Sequence, residues 1–450
     1  MTNHSNADAR EIIAALRSGV VPRRGLSYFA SALEPLAAAV GEDLDFVGRG
    51  KGASKWIRGE YGTGKTFAAR YLCAEARAKG FATSEVQISI NDTPLYRLET
   101  VYRRLVERLE TNQDGQNAFQ AVVQAWLYQL GEEVQRLKSI DENDPSFPDA
   151  TEQRLEDRLA DLSRRNPSFA QALRAYHRAQ HDGDFATAQG VLGWLAGSPH
   201  TDRSVLSSAK LRGSVDGQTA LTFLVGILQL LRQSGYNGLV VVLDEAETIQ
   251  LMNKTNRERS LNALRQLIDH LADDQLPGLY LIVTGTRDFF ENYKGVKSLQ
   301  PLYQRVHVSF ADDPKFDNLR APQVRLSAFT ADRLFTVGQR IRDLYPSTEE
   351  ARVRARVSDA FLRSLVDQVT SGFGGTVAVA PRIFLRELTD VLDRVDQHQD
   401  FDPAAHYRLD LDDAQLTPEE LAAARGEPVA QPPEEADESS APPASKRLDG

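Results

Sequence analysis

The chain has 450 residues, 41% of them hydrophobic, a formal net charge of −10 and a single cysteine. This composition fits a globular protein able to bury one large core or two, and it excludes fibrous and collagen-like classes. One cysteine, Cys73, excludes an internal disulfide framework and a cysteine zinc site, and leaves core packing as its expected role. The polar start Met1 to Arg10 lacks a signal-peptide apolar core, and no apolar run approaches membrane-spanning length, so a cytoplasmic protein without membrane contact is expected. The acidic balance gives no global basic footprint for holding nucleic acid. Part of that charge is local, because Glu427 to Gly450 carries six acidic and two basic residues.

In chain order, Glu11 to Leu16 reads as a helix, Val20 to Gly25 as a loop, and Tyr28 to Val40 as a second helix. Trp56-Ile57 is a short apolar approach that closes a strand. It runs into Gly59-Glu60-Tyr61-Gly62-Thr63-Gly64-Lys65-Thr66, after which Phe67, Ala68, Tyr71 and Leu72 keep a helical period. A glycine turn between strand and helix lets backbone N–H groups and the helix N-terminus point at phosphates. In such a loop Lys65 reaches the β- and γ-phosphates of ATP and the Thr66 hydroxyl ligates Mg²⁺. The alternative for the string taken alone is a glycine-rich turn with an exposed lysine. Val20, Val21 and Pro22, shortly before this loop, either supply an adenine pocket or simply pack.

Glu85 to Ile90 alternates as a second strand, followed by a helix from Leu98 to Leu109. About 120 residues with helical patterning then intervene before the next strand, far more than an ordinary crossover needs. Phe119, Val122, Val123, Trp126, Leu127 and Leu130 form one apolar stripe, and further helices are expected over 150–164, 168–180, 184–195 and 218–232. Residues 113–215 therefore read as a helical insertion. His177 and His181 have a metal-ligand spacing, but only Asp182 and Asp184 accompany them, which favours solvent-facing histidines.

Leu239 to Leu243 is an unbroken apolar run ending in Asp244-Glu245, as expected of a central parallel strand. Asp244 would hold the Mg²⁺ shell and Glu245 would polarise the attacking water. Leu279 to Thr284 is the next strand. In P-loop ATPases with an additional strand, a polar residue at this end senses the γ-phosphate, a role open to Thr284 or Thr286, with a helix N-cap as the alternative for Thr286. Gln323 to Ser327 is the expected last strand, and helices follow over 330–344, 351–370 and 381–395. Pro381 suits the first turn of the last helix, from which Arg382 would face the γ-phosphate or else lie on the surface.

The order of Gly59–Thr66, Asp244-Glu245, Thr284 and Pro381-Arg382 resembles AAA+ ATPases of the origin-recognition branch. Glu11 to Pro22, Gly59 to Thr66, Ile90 to Leu95 and Leu319 to Pro322 look more closely like the BREX phage-defence ATP-binding proteins. The resemblance implies an α/β fold: a P-loop AAA+ core with a parallel sheet, a large helical insertion and a C-terminal helical lid. It divides the chain into 1–112 (N-terminal helices and Walker A half), 113–215 (insertion), 216–328 (Walker B and first sensor), 329–425 (lid with second sensor) and a disordered acidic tail, 426–450.

It also implies a bacterial cytoplasmic ATPase working with other defence-system proteins, and a homo-oligomer with ATP sites shared between subunits. A neighbour's arginine would then complete the site, with Arg305 the first candidate and Arg320 the second, each with a surface or structural role as the alternative. One departure is that Phe401 to Arg425 is too short for the DNA-binding winged helix of origin-recognition relatives. DNA contact would have to use the insertion or a basic stretch with Arg49, Lys51, Lys55 and Arg58. Two other functions compete: an ATP-binding scaffold without appreciable turnover, and a helicase, suggested by Asp244-Glu245-Ala246-Glu247 but lacking a second RecA-like domain.

Overall fold

The computed structural model describes residues 6–115, 117–327, 329–372 and 380–409, together with Leu416, Leu421, Ala424 and Arg425. The tail 426–450 and most of 410–425 lie outside the described residues. The elements run α1 (Asn6–Arg17), α2 (Glu34–Gly48), β1 (Ala53–Arg58), α3 (Lys65–Ala78), β2 (Ala82–Gln87), α4 (Leu98–Glu107) and β3 (Leu109–Glu110). The long connection holds α5 (Phe119–Lys138), α6 (Phe147–Arg165), α7 (Pro167–His181), α8 (Phe185–Leu195) and α9 (Arg203–Ser208). Then come α10 (Ala220–Gln233), β4 (Leu239–Asp244), α11 (Lys254–Ala272), β5 (Leu279–Gly285), α12 (Arg287–Glu291), α13 (Gln300–Val306) and β6 (Gln323–Arg325). The chain continues through α14 (Ala331–Leu344), α15 (Glu350–Arg356), α16 (Asp359–Gly372), α17 (Ala380–Gln397) and α18 (Pro403–His406).

The six strands form one sheet in the order β3-β2-β4-β5-β1-β6. All pairings are parallel except that of the two-residue β3 with β2. One strand, β5, thus separates the glycine-loop strand β1 from the Asp-Glu strand β4. Because strand side chains alternate between faces, Leu239, Val241 and Leu243 of β4 join one apolar cluster, while Val240 and Val242 join another with α2 and α3. Both faces of β4 and β5 are covered, which is why these strands are buried along their whole length.

The helices of the long connection pack on the first face. Trp126, Phe169, Tyr176 and Trp194 belong to the same continuous cluster as Leu239 and Leu243. Phe223 of α10 is the joint: its ring lies 5.9 Å from Tyr102 (α4), 5.7 Å from Phe169 (α7) and 5.4 Å from Trp194 (α8), all edge to face. A second core is built from α14, α15, α16 and α17, and it includes Ile12, Ile13 and Leu16 of α1. The N-terminal helix therefore packs with the C-terminal helices, and Arg17 clamps α17 through two bonds to Asp393, at 2.7 and 2.8 Å.

Among the elements that differ from their expected bounds, three have a plain local cause. The helix expected over 28–40 starts at Glu34 and runs to Gly48, because Pro35 occupies its first turn and the preceding residues form short 3-10 turns at Leu26–Tyr28 and Ser31–Leu33. The second strand is Ala82–Gln87 and not 85–90. Its start is made of small Ala, Thr and Ser residues with little apolar signal, and Ser89 Oγ accepts from Asp92 N and Thr93 N to turn the chain away. The helix expected over 351–370 breaks at Val357-Ser358, where Ser358 Oγ accepts from Phe361 N.

Phe223→Ala should cost about 3–5 kcal/mol of stability. Denaturation followed by circular dichroism is expected to show the sheet and the connecting helices shifting together, since they share that core.

A candidate nucleotide site between the sheet and the C-terminal helices

The glycine loop joins β1 to α3. Gly62 and Gly64 have φ of 76° and 87°, left-handed backbone that glycine adopts without strain. The loop is tied to the neighbouring strand end by Gly59 N donating to Gly285 O at 3.1 Å, and it is closed on itself by Thr63 Oγ1 donating to Glu60 O at 2.8 Å. A side chain at Gly59 would collide with the Thr63 hydroxyl. Lys65, buried at the start of α3, donates to Gly59 O at 3.1 Å and Glu60 O at 3.4 Å, and its ammonium lies 5.1 Å from the Tyr61 ring centre.

Asp244 at the end of β4 gathers two hydroxyls. Thr66 Oγ1 donates to its Oδ2 at 2.7 Å, and Thr284 Oγ1 from β5 donates to its Oδ1. The Thr284 oxygen in turn accepts from Glu245 N at 3.1 Å. Glu245 itself sits in left-handed backbone, φ 58°, and its Oε2 accepts from Gln87 Nε2 at 2.8 Å. Thr286 is occupied otherwise: its side chain caps α12 by accepting from Phe289 N at 3.3 Å. Of the two threonines, the structure brings Thr284 to the acidic pair.

Over these groups lies a cavity of about 300 Å³. Gly62, Gly64, Lys65, Thr66, Glu245 and Glu247 line its polar end. Its apolar walls include Leu16, Val20, Val21, Pro22 and Phe29 from the N-terminal region, and Phe329, Leu334, Val337 and Leu385 from the second core. Pro381 and Arg382 complete it, with Arg382 Nη1 so close to Gly19 that a Cβ there would lie 3.2 Å away. Val21 is also held from below, since Arg70 donates to its carbonyl at 3.0 Å while forking onto Glu85 at 2.8 Å.

Other expected residues lie elsewhere. Arg305 is outside the cavity, donating to Pro301 O and paired with Asp269, both at 2.7 Å. Arg320 forks onto Glu42 at 2.6 Å. Of the basic stretch near residue 50, Arg49 and Lys51 are exposed, whereas the other two members are turned away from solvent. Lys55 is buried, paired with Asp43 at 3.0 Å and donating to Leu319 O and Ala321 O, while Arg58 is mostly buried against Glu291 at 2.9 Å. Strand alternation sends Lys55 inward, which a list of nearby basic residues does not register. Among the described residues no group of three or more His, Cys, Asp and Glu is placed to hold a metal, His177 and His181 included. No helix among them is long and apolar enough to cross a membrane.

Sequence reasoning does not single out Gln87 or the aromatic wall of Phe29 and Phe329, and it names Glu247 only within the Asp244–Glu247 string, not as a partner of Lys65. Gln87 has a usable signal, because it ends the strand paired with β4 and stands beside Asp244 in register. Phe329 comes from the far end of the chain and has none.

The arrangement is that of a nucleotide-binding α/β domain, with a glycine loop, a helix N-terminus and an acidic strand end meeting beside an apolar pocket. The chain belongs to the family of BREX system ATP-binding proteins BrxC/D, whose sequence model matches residues 5–411. ATP binding and membership of a phage-defence system follow at the level of that family. No individual curated protein matches the sequence.

Two outcomes follow from the packing around the site. Thr284→Ala leaves the Asp244–Glu245 junction without its bridging hydroxyl and should cost about 1–3 kcal/mol in urea denaturation, against about 1 kcal/mol for the lost cap in Thr286→Ala. Burial pushes the Cys73 thiol up to about 12, so it stays neutral across the physiological range. Iodoacetamide between pH 7 and 9 should leave the native protein unlabelled and label it only after unfolding.

Proposed function

We propose that the protein is a Mg²⁺-dependent ATPase of the AAA+ type, acting as a nucleotide-driven switch or assembly factor in its defence system. The observation that carries this reading is the convergence on Asp244 of the Thr66 and Thr284 hydroxyls, next to buried Lys65 and beneath a cavity walled by both cores. The strand order, with β5 between β1 and β4, supports the AAA+ assignment.

The residues present fit a Mg²⁺–triphosphate: one hydroxyl and one carboxylate in contact are too few ligands for a cation alone, and phosphate oxygens and water would complete them. When bound, Mg²⁺ would neutralise charge on the phosphates. Lys65 and the loop N–H groups bind the phosphates, while Val21 and Pro22 face the base. Thr284 fixes the backbone from which Glu245 reaches the water, and Glu245 orients and deprotonates it. Arg382 stands on the wall contributed by the second core, so filling the cavity sets the angle between the cores. This second core is the proposed lid.

The arrangement also supports a second reading, an ATP-binding scaffold with negligible turnover, because Gln87 engages the Glu245 carboxylate directly. Glu245→Gln separates the two. As an ATPase, the variant should bind ATP as wild type does and lose at least about a hundredfold in turnover; equal steady-state hydrolysis in both proteins would remove Glu245 from the mechanism. For a site shared between subunits, Arg305→Ala should lower hydrolysis while leaving ATP affinity intact. The mass of the protein with ATP should then exceed that of a monomer.

A further inference from the structure

Glu247 is buried, and neither carboxylate oxygen has a hydrogen-bond partner among the described residues. It lies on the 3-10 turn Ala246–Leu251 that leaves β4, and it lines the polar end of the cavity. Its cation is Lys65, whose Nζ lies 3.4 Å from Oε1. The other polar contacts of that ammonium are the neutral carbonyls of Gly59 and Glu60. Burial pushes the Glu247 carboxyl up from the ordinary glutamate range while Lys65 pulls it down. The pair is therefore mutually dependent: each charge is expensive to bury without the other.

We propose that Glu247 is an internal competitor for the phosphate-binding lysine, holding Lys65 in the nucleotide-free protein and having to be displaced by an incoming triphosphate. This rests on the reading that Lys65 contacts the β- and γ-phosphates. When Lys65 turns to a phosphate, Glu247 loses its cation and is left in a buried place beside further negative charge. Part of the attraction between Lys65 and ATP is thereby offset, and affinity is set below what the cradle alone would give. Ligands without β- and γ-phosphates do not draw on Lys65 and should be indifferent to Glu247.

The test uses the full chain and isothermal titration with the non-hydrolysable β,γ-imido analogue of ATP and, separately, with AMP. Glu247→Gln should bind the imido analogue about tenfold more tightly than wild type, with AMP binding unchanged. Glu247→Asp, which keeps the charge but draws it back from Lys65, should show a smaller gain and serves if the glutamine variant does not fold. Thermal melting adds a second readout. Without nucleotide Glu247→Gln should melt below wild type, because Lys65 is left unpaired, and saturating imido analogue should restore or exceed the wild-type value. A lower melting temperature in both conditions, with unchanged or weaker binding, would mean that Glu247 only supports the structure and would overturn the proposal. Lys65→Ala separates the two levels. If it leaves imido-analogue binding intact, the phosphate-cradle reading fails. If it abolishes binding while neither Glu247 variant tightens it, only the competition fails.

Discussion

The contact on which the site depends is the pair of threonine hydroxyls converging on Asp244. One comes from the first turn of α3 and the other from the end of β5, so a single carboxylate joins the glycine loop, the acidic strand and its neighbour. Each hydroxyl has one proton to donate, and both are spent on the same acceptor. Thr284 then uses a lone pair for Glu245 N, which fixes the left-handed turn that aims the next carboxylate. The polar end of the candidate site is thus organised by three side chains, Thr66, Asp244 and Thr284, that are far apart in sequence.

Around that contact lie apolar clusters on the two faces of the sheet and a separate core of the C-terminal helices, with the cavity between the sheet and those helices. The sheet core absorbs the long helical connection through Phe223, and the second core joins α1 to the C-terminal helices through Ile12, Ile13 and Leu16. The segment from Gly19 to Pro22 crosses from one to the other. It is anchored to the sheet by Arg70 on the Val21 carbonyl, and it touches Arg382 of the second core at Gly19. A ligand filling the cavity contacts both bodies at once, which is the physical requirement for any coupling between occupancy and their relative angle.

Much of the site is legible in the amino-acid order. Lys65, Thr66, Asp244 and Glu245 fall in strings whose glycines, hydroxyl and acids have chemical reasons for their spacing, and Thr284 stands out as a polar end to an apolar strand. Helices with a strong apolar stripe, such as that from Phe119, are equally plain because burial on one face imposes the period. Weak local signals hide the rest: Ala82 to Ser84 are small residues buried by their neighbours, and Pro35 starts a helix whose period extends on both sides. Lys55 passes for a surface charge in the sequence because its direction depends on strand alternation and on Asp43, Leu319 and Ala321, residues supplied by other elements.

By itself the sequence determined the local pattern: a glycine loop between a strand and a helix, an acidic strand end, a largely parallel sheet and a helical interruption between its halves. These follow from turn-forming glycines, hydroxyl and carboxylate placement, and apolar periodicity, all written within short windows. Tertiary structure alone decided the partners. It chose Thr284 over Thr286, seated α1 on the C-terminal helices, built the apolar pocket from both ends of the chain, and set Glu247 against Lys65. Each of those is a contact across long sequence separation, decided by which buried faces and charges meet when the two cores close on one another.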